Sequence, residues 1–229
     1  MNAANWERSA RGMGVVFAAL ALIAFITYGE GPKLEDSADN VASFYSDNGG
    51  RVLTALTIFS LSMIPLFWFA GAIANELRRS GEGRLGATVI GTLGAWAAMQ
   101  LVFVATAAPL AVSLADSADP EISQALNGFG LAIDNVSAFP LAGGIAAASV
   151  GLARARVLPL WFMWFGLAVA ALVVLHGTNW ASEGFWSPGG GYLFVVVASG
   201  LLWAVVTSVL LFRAPVLEET SAPVAARVA

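Results

Sequence analysis

The chain has 229 residues, of which 58% are hydrophobic and only 11% are charged, and its mean hydropathy is +0.76. About a quarter of the residues of a soluble globular protein are charged, so this composition indicates a membrane protein. The absence of cysteine and the presence of a single histidine exclude disulfides, thiol nucleophiles and multi-histidine metal or haem centres. We therefore predict no metal, no cofactor and no nucleic-acid partner.

Six apolar segments follow one another and predict an all-α bundle of six transmembrane helices. The first three cover residues 12–28, 51–77 and 85–115, the fourth ends at Arg154 and Arg156, and the last two cover 158–175 and 192–212. A polar stretch with Pro32, Gly49 and Gly50 predicts a loop over residues 29–50. Residues 1–11 then form a short N-terminus, 12–213 the membrane domain and 214–229 a disordered tail.

The basic residues predict the orientation of the bundle. Lys33 and Arg51 lie on the side opposite the termini, whereas nine arginines lie on the terminal side: Arg8, Arg11, Arg78, Arg79, Arg84, Arg154, Arg156, Arg213 and Arg227. Since cytoplasmic segments are enriched in Lys and Arg, both termini are predicted to be cytoplasmic. The preference for arginine over lysine, with much Ala, Gly and Val, is typical of a high-GC bacterium, so we predict a multi-pass protein of a bacterial inner membrane.

Asp134 is the only acid within the apolar part of the fourth segment, and Asn135 follows it. Two interpretations remain open. At 20 residues from Arg154, or roughly 30 Å along a helix, Asp134 is placed at the outer interface, where water would hydrate it. Alternatively, it lines an outward vestibule with His176, Asn179 and Arg51, because acids within membrane helices are often functional.

Trp68, Trp96 and Trp203 lie at similar depth, roughly 15 to 18 Å from the inner helix ends. Tryptophan is normally enriched at the interfaces, so three at mid-depth predict either an aromatic packing cluster or a pocket for an apolar ligand. Gln100 lies one turn from Trp96, and a buried amide needs partners. We predict a hydrogen bond between Gln100 and Trp68 or Trp203, and a Gln100 side chain that avoids lipid.

Small residues recur every four positions in the fourth helix, as Gly143, Ala147 and Gly151 and as Gly144 and Ala148. Such rows let helix backbones approach closely. They predict packing between helices of the same chain or, alternatively, a dimer seam. The predicted partners are thus membrane lipids and either a second copy or another membrane protein.

The inner turn from Ala153 to Gly166 (ARARVLPLWFMWFG) has a basic residue and a Leu-Pro pair before a helix rich in Trp and Gly. With the overall span pattern, it resembles a bacterial six-helix membrane family catalogued only as a domain of unknown function. The residues that carry this resemblance are Arg156, Leu158, Pro159, Trp161, Trp164 and Gly166. The resemblance implies six helices and no particular activity.

No motif in the sequence names a reaction or a solute. Three hypotheses follow: a protein that binds or moves a small or lipid-like ligand, an accessory or assembly subunit, and a membrane enzyme. The enzyme is the least favoured, because no acid–base, nucleophile–base or metal set occurs at a workable spacing. The candidate ligand-binding residues are Asp134, Asn135, His176, Gln100, Trp68, Trp96 and Trp203.

Overall fold

In the computed structural model, which describes residues 3–114 and 119–214, the protein is a bundle of six α-helices. The helices are α1 (Ala3–Tyr28), α2 (Ala38–Arg79), α3 (Gly83–Pro109), α4 (Pro120–Arg154), α5 (Leu160–His176) and α6 (Tyr192–Arg213). The helix α3 continues into a π-helical turn, Leu110–Leu114. The predicted fold class is confirmed, and each predicted apolar segment is the main part of one helix.

Five of these helices are long and apolar enough to cross a membrane, and α5, with 17 residues, is shorter. Contacts nevertheless show that α5 runs from one end of the bundle to the other. It follows Arg154, which pairs with Glu82 at one end, and it finishes at His176, beside Asp134 near the other end. At roughly 26 Å, α5 crosses slightly less than one hydrocarbon thickness.

The surface of the bundle exposes many large apolar side chains along its length. Leu61, Ile64 and Phe67 of α2 are each about half exposed, and Val112 and Ile26 are more exposed still. A soluble protein rarely leaves so much contiguous apolar surface in water, whereas lipid is an adequate solvent for it. The exposed faces are therefore those that contact the hydrocarbon.

The predicted loop over residues 29–50 is wrong for its second half, because α2 begins at Ala38 and continues without a break through Gly49 and Gly50. Ser37 caps this helix by accepting a hydrogen bond from the Asn40 amide. A side chain at Gly49 would overlap the backbone carbonyl of Ala111 in the π-helical turn. Gly49 thus allows close helix approach and does not act as a helix breaker.

One other boundary differs from the prediction. α1 begins at Ala3, so most of the predicted N-terminal segment 1–11 forms the first turns of a helix. α4 begins at Pro120, where proline suits the first turn, and Asp119 caps it by accepting from the Glu121 amide. The predicted tail lies almost wholly outside the described residues.

The small residues of α4 serve packing within the chain. A side-chain carbon at Gly144 would come within 2.7 Å of Leu93 on α3, and one at Gly151 would come within 2.7 Å of Leu77 on α2. Gly166 of α5 lies against Ser149 of α4, where an added carbon would overlap the serine hydroxyl. These close approaches confirm the prediction of intramolecular packing. The dimer seam stays an untested alternative.

Candidate functional site

A cavity of about 250 Å³ lies between α1, α2, α3, α4 and α6. It reaches the loops that contain Pro32 and Gly189 at one end, which we call its mouth, and Phe69, Leu93 and Ile145 at the other. The cavity therefore extends into the interior of the bundle from the end that the sequence predicts to face outward, which we call the outer end. Most of its wall is aliphatic or aromatic.

Four polar side chains meet on one part of this wall, and we refer to Gln100, Asp134, Ser137 and His176 as the outer polar cluster. The Gln100 amide donates to Asp134 Oδ1 at 2.8 Å and to Ser137 Oγ at 2.9 Å. His176 Nε2 lies 3.1 Å from Asp134 Oδ2, a separation at which an Nε2–H donates to the carboxylate. The Ser137 hydroxyl in turn donates to the Asp134 carbonyl at 2.7 Å.

Three helices supply this cluster. Asp134 and Ser137 are three residues apart and share one face of α4. Gln100 comes from the facing surface of α3, and His176 is the last residue of α5. Gln100 and His176 are almost fully buried, whereas the Asp134 side chain is 24% exposed. The carboxylate is thus the group of the cluster that is most accessible from the cavity.

The structure places Asp134 and His176 together on the wall of the cavity, but it does not place Arg51 there. The Arg51 guanidinium lies over the Phe44 ring, 5.7 Å from its centroid, and Arg51 does not line the cavity. Asn179 is buried and donates to the Ser187 carbonyl, so it orders the loop between α5 and α6. The sequence spacing gave no sign that Asp134 and His176 form a hydrogen-bonded acid–base pair.

Asn135 points away from the cavity. Its amide donates to the Asn179 carbonyl at 2.7 Å, and its side chain is only 1% exposed. Since successive helical residues project about 100° apart, the side chains of Asp134 and Asn135 cannot both face the cavity squarely. Asn135 therefore fixes the loop that follows His176.

The three mid-depth tryptophans have different environments. Trp96 and Trp203 line the cavity, whereas Trp68 is 47% exposed and packs against Trp6 on the outer surface of the bundle. The Trp203 indole donates to Ser149 Oγ at 3.0 Å. The predicted hydrogen bond from Gln100 to Trp68 or Trp203 is thus wrong, although the prediction that Gln100 avoids lipid is confirmed. Both hydrogens of its amide are used by Asp134 and Ser137.

A second polar chain lies nearer the mouth. Tyr45 donates to Asn127 Oδ1 at 3.0 Å, and its hydroxyl lies 3.2 Å from that of Tyr28. Tyr28 and Asn127 also line the cavity. These hydrogen bonds connect α1, α2 and α4, so the upper wall of the cavity is held by neutral groups.

Sequence reasoning missed a buried charge pair at the opposite end of the bundle. Arg11 donates to Glu76 Oε2 at 2.6 Å and to the carbonyls of Leu211 and Ala214, and both charged side chains are at most 2% exposed. We call Arg11 and Glu76 the inner ion pair. The feature of the sequence that could have indicated this pair is Glu76, an acid at the same depth as the arginines that end these helices.

Comparison with known proteins adds no family to these observations. The chain matches no protein-family model, no curated protein and no solved structure. Its resemblance to the six-helix family of unknown function therefore stays a prediction that depends on the turn around Pro159. In the described residues, no group of three or more acids and histidines converges as a metal site.

Proposed function

We propose that the protein binds a small amphipathic or lipid-like molecule in the cavity, with the polar part of that molecule at the outer polar cluster. The observation that carries this proposal is the position of Asp134, partly exposed on a mostly apolar wall. Binding sites for small molecules commonly combine an apolar lining with a few convergent polar groups. The location that fits this proposal is a bacterial inner membrane, as the sequence predicts.

The size and chemistry of the cavity limit the ligand. A volume of about 250 Å³ suits a small molecule or one segment of a lipid better than a whole phospholipid. The lining favours an apolar body, since each buried Å² of apolar surface contributes about 25 cal/mol. The ligand's polar group then exchanges hydrogen bonds with Asp134 and its neighbours.

The arrangement favours binding over hydrolysis. A serine nucleophile needs a base that takes its proton, as in Ser-His pairs. The Ser137 hydroxyl instead donates to the Asp134 carbonyl and accepts from Gln100, while His176 is directed to the Asp134 carboxylate. The cluster therefore orients an acid without activating a nucleophile.

Native mass spectrometry of the purified protein tests the proposal. Gly200 lines the cavity, and an added carbon there would meet nothing within 4 Å, so Gly200→Phe places a ring in open space. Gly91 has equally free surroundings, is exposed, and does not line the cavity, so Gly91→Phe is the matched control. We expect a co-purified small molecule on the wild type and on Gly91→Phe that is lost from Gly200→Phe. No bound molecule on any form, or equal retention on all three, contradicts the proposal.

A further inference from the structure

We propose that the ligand of this cavity carries a positive charge, as a small hydrophobic ammonium ion does. This inference rests on the proposed function and names its ligand class. It follows from the charge balance of the lining, the aromatic character of the wall and the charges around the mouth.

The charge balance of the wall favours a cation. Among the described residues that line the cavity, Asp134 is the only carboxylate and none is a lysine or an arginine. Its hydrogen-bond donors are the neutral Gln100 amide and the His176 ring. A carboxylate in low-dielectric surroundings is costly without a counter-charge, because desolvation is only partly offset by neutral donors. A cationic ligand supplies the counter-charge that the protein does not.

The imidazole of His176 is compatible with this role. When the ring is neutral, its Nε2–H donates to Asp134 Oδ2 and leaves the negative charge on the carboxylate. Its other nitrogen, Nδ1, is buried and has no hydrogen-bond partner in the described structure. In its neutral form His176 thus orients Asp134 without neutralising it.

The aromatic residues of the wall are suited to the remainder of such a ligand. Rings that line the cavity come from α1, α2, α3 and α6, and include Phe17, Phe59, Trp96, Phe103 and Trp203. Phe17 and Trp96 meet edge to face with centroids 6.1 Å apart. The faces of aromatic rings attract cations, and desolvated sites strengthen this attraction. An ammonium ion with apolar substituents therefore interacts with both parts of the wall.

The mouth also favours cations. The outer loop that precedes α2 carries Glu30, Glu35 and Asp36, and its lysine, Lys33, is paired with Glu30 at 3.1 Å. The hydrogen bond and charge of Glu30 raise the pKa of Lys33. Arg51, the other cation on this side, lies over the ring of Phe44. The excess of negative charge steers cations toward the cavity and raises their local concentration.

Two molecules of the same shape test the inference directly. Phenyltrimethylammonium and tert-butylbenzene differ by a positively charged nitrogen in place of a carbon. Binding of each to the protein in lipid nanodiscs is measured through the intrinsic tryptophan fluorescence, to which Trp96 and Trp203 on the cavity wall contribute, with empty discs as the correction for partition. We expect the cation to bind at least about tenfold more tightly than the neutral molecule.

Variants assign this preference to Asp134. Asp134→Asn keeps the shape and an acceptor for Gln100 but removes the charge, so the preference for the cation should disappear. Asp47→Asn removes an exposed acid of the outer side and should leave the preference unchanged. Asp134→Glu keeps the charge and should retain part of the preference, which guards against a folding defect in the asparagine variant.

The outcomes separate the two proposals. Equal affinity for the two probes, or a preference that survives Asp134→Asn, overturns the cationic ligand. In that case the cavity still binds a ligand if Gly200→Phe removes a co-purified molecule. If the cation binds wild type and Gly200→Phe equally well, the cation lies elsewhere and this inference fails, whatever the mass spectrum shows.

Discussion

Asp134 and Glu76 are both acids that lie among apolar helices, but their partners and their exposure differ. Asp134 receives hydrogen bonds from the side chains of Gln100 and His176 and is still 24% exposed to a cavity. Glu76 is bound by Arg11 at 2.6 Å, and neither member of that pair is more than 2% exposed. Asp134 is hydrogen-bonded but accessible, whereas Glu76 is neutralised by Arg11 and buried.

This difference suggests different roles. A buried charge pair contributes little net stability, yet its loss is costly because one charge is left alone. Arg11 also holds two carbonyls at the end of α6, and the Ser208 hydroxyl donates to the Arg11 carbonyl. The inner ion pair therefore joins α1, α2 and α6, while the outer polar cluster leaves its carboxylate available to a ligand.

The largest expected effect is all-or-none cysteine labelling. It assigns the outer polar cluster and the inner ion pair to their sides of the membrane. The chain has no cysteine, so single cysteines can be labelled without interference. Ser182→Cys, in the exposed loop before α6, should react with a membrane-impermeant maleimide added outside, and Ser80→Cys should react only after permeabilisation. Labelling of position 80 from outside would reverse the predicted orientation.

Arg11→Met should then have the largest effect on stability. It leaves Glu76 buried without its partner, which should lower the free energy of unfolding by about 3 to 5 kcal/mol. Unfolding in mixed detergent micelles, followed by tryptophan fluorescence, measures the change. Arg8→Met removes an exposed arginine one turn away and is the control.

The double variant Arg11→Met with Glu76→Met sharpens this test. Because an apolar pair removes both charges at once, most of the lost stability should return. A double variant as unstable as Arg11→Met alone would mean that the carbonyl contacts of Arg11, and not its pairing with Glu76, hold this end together.

A smaller effect on stability is expected between these two regions, at the packed deep end of the cavity, which we call its floor. In Gly166→Ala the added methyl overlaps Ser149, whose hydroxyl accepts from Trp203. Overpacking of this kind should cost about 1 to 3 kcal/mol and disturb the floor. Gly91→Ala, where the methyl meets nothing within 4 Å, should be neutral or slightly stabilising. Equal stability of the two variants would contradict the packing described for α4 and α5.

The smallest effect should come from the outer polar cluster. Gln100→Leu removes two hydrogen bonds, but Asp134 keeps His176 and is accessible from the cavity. Hydrogen bonds in membrane proteins contribute about 0.6 kcal/mol on average, so we expect a loss below about 1 kcal/mol. Met99→Leu is the volume-matched control. A loss as large as that of Arg11→Met would show that the outer cluster is also a structural clamp.

The sequence predicted how deep a residue lies in the bundle better than it predicted which way its side chain points. Counting residues from the inner arginines correctly placed Asp134 at the level of His176. It did not show that Trp68 faces outward while Trp96 and Trp203 face the cavity, because helices that are apolar all round carry little periodic signal about which face is buried. The pairing of Arg11 with Glu76 was also missed, because it depends on which helices are neighbours.

The helix α2 is continuous and connects the two regions of the molecule. This helix carries Tyr45 at the cavity mouth and Glu76 at the inner ion pair, which are 31 residues apart in one helix and therefore roughly 46 Å apart. Pro65 lies between them and removes one backbone hydrogen bond, and such a proline is a common site of bending within a helix. A tilt of the outer part of α2 is thus taken up first by bending at Pro65, before it reaches Glu76.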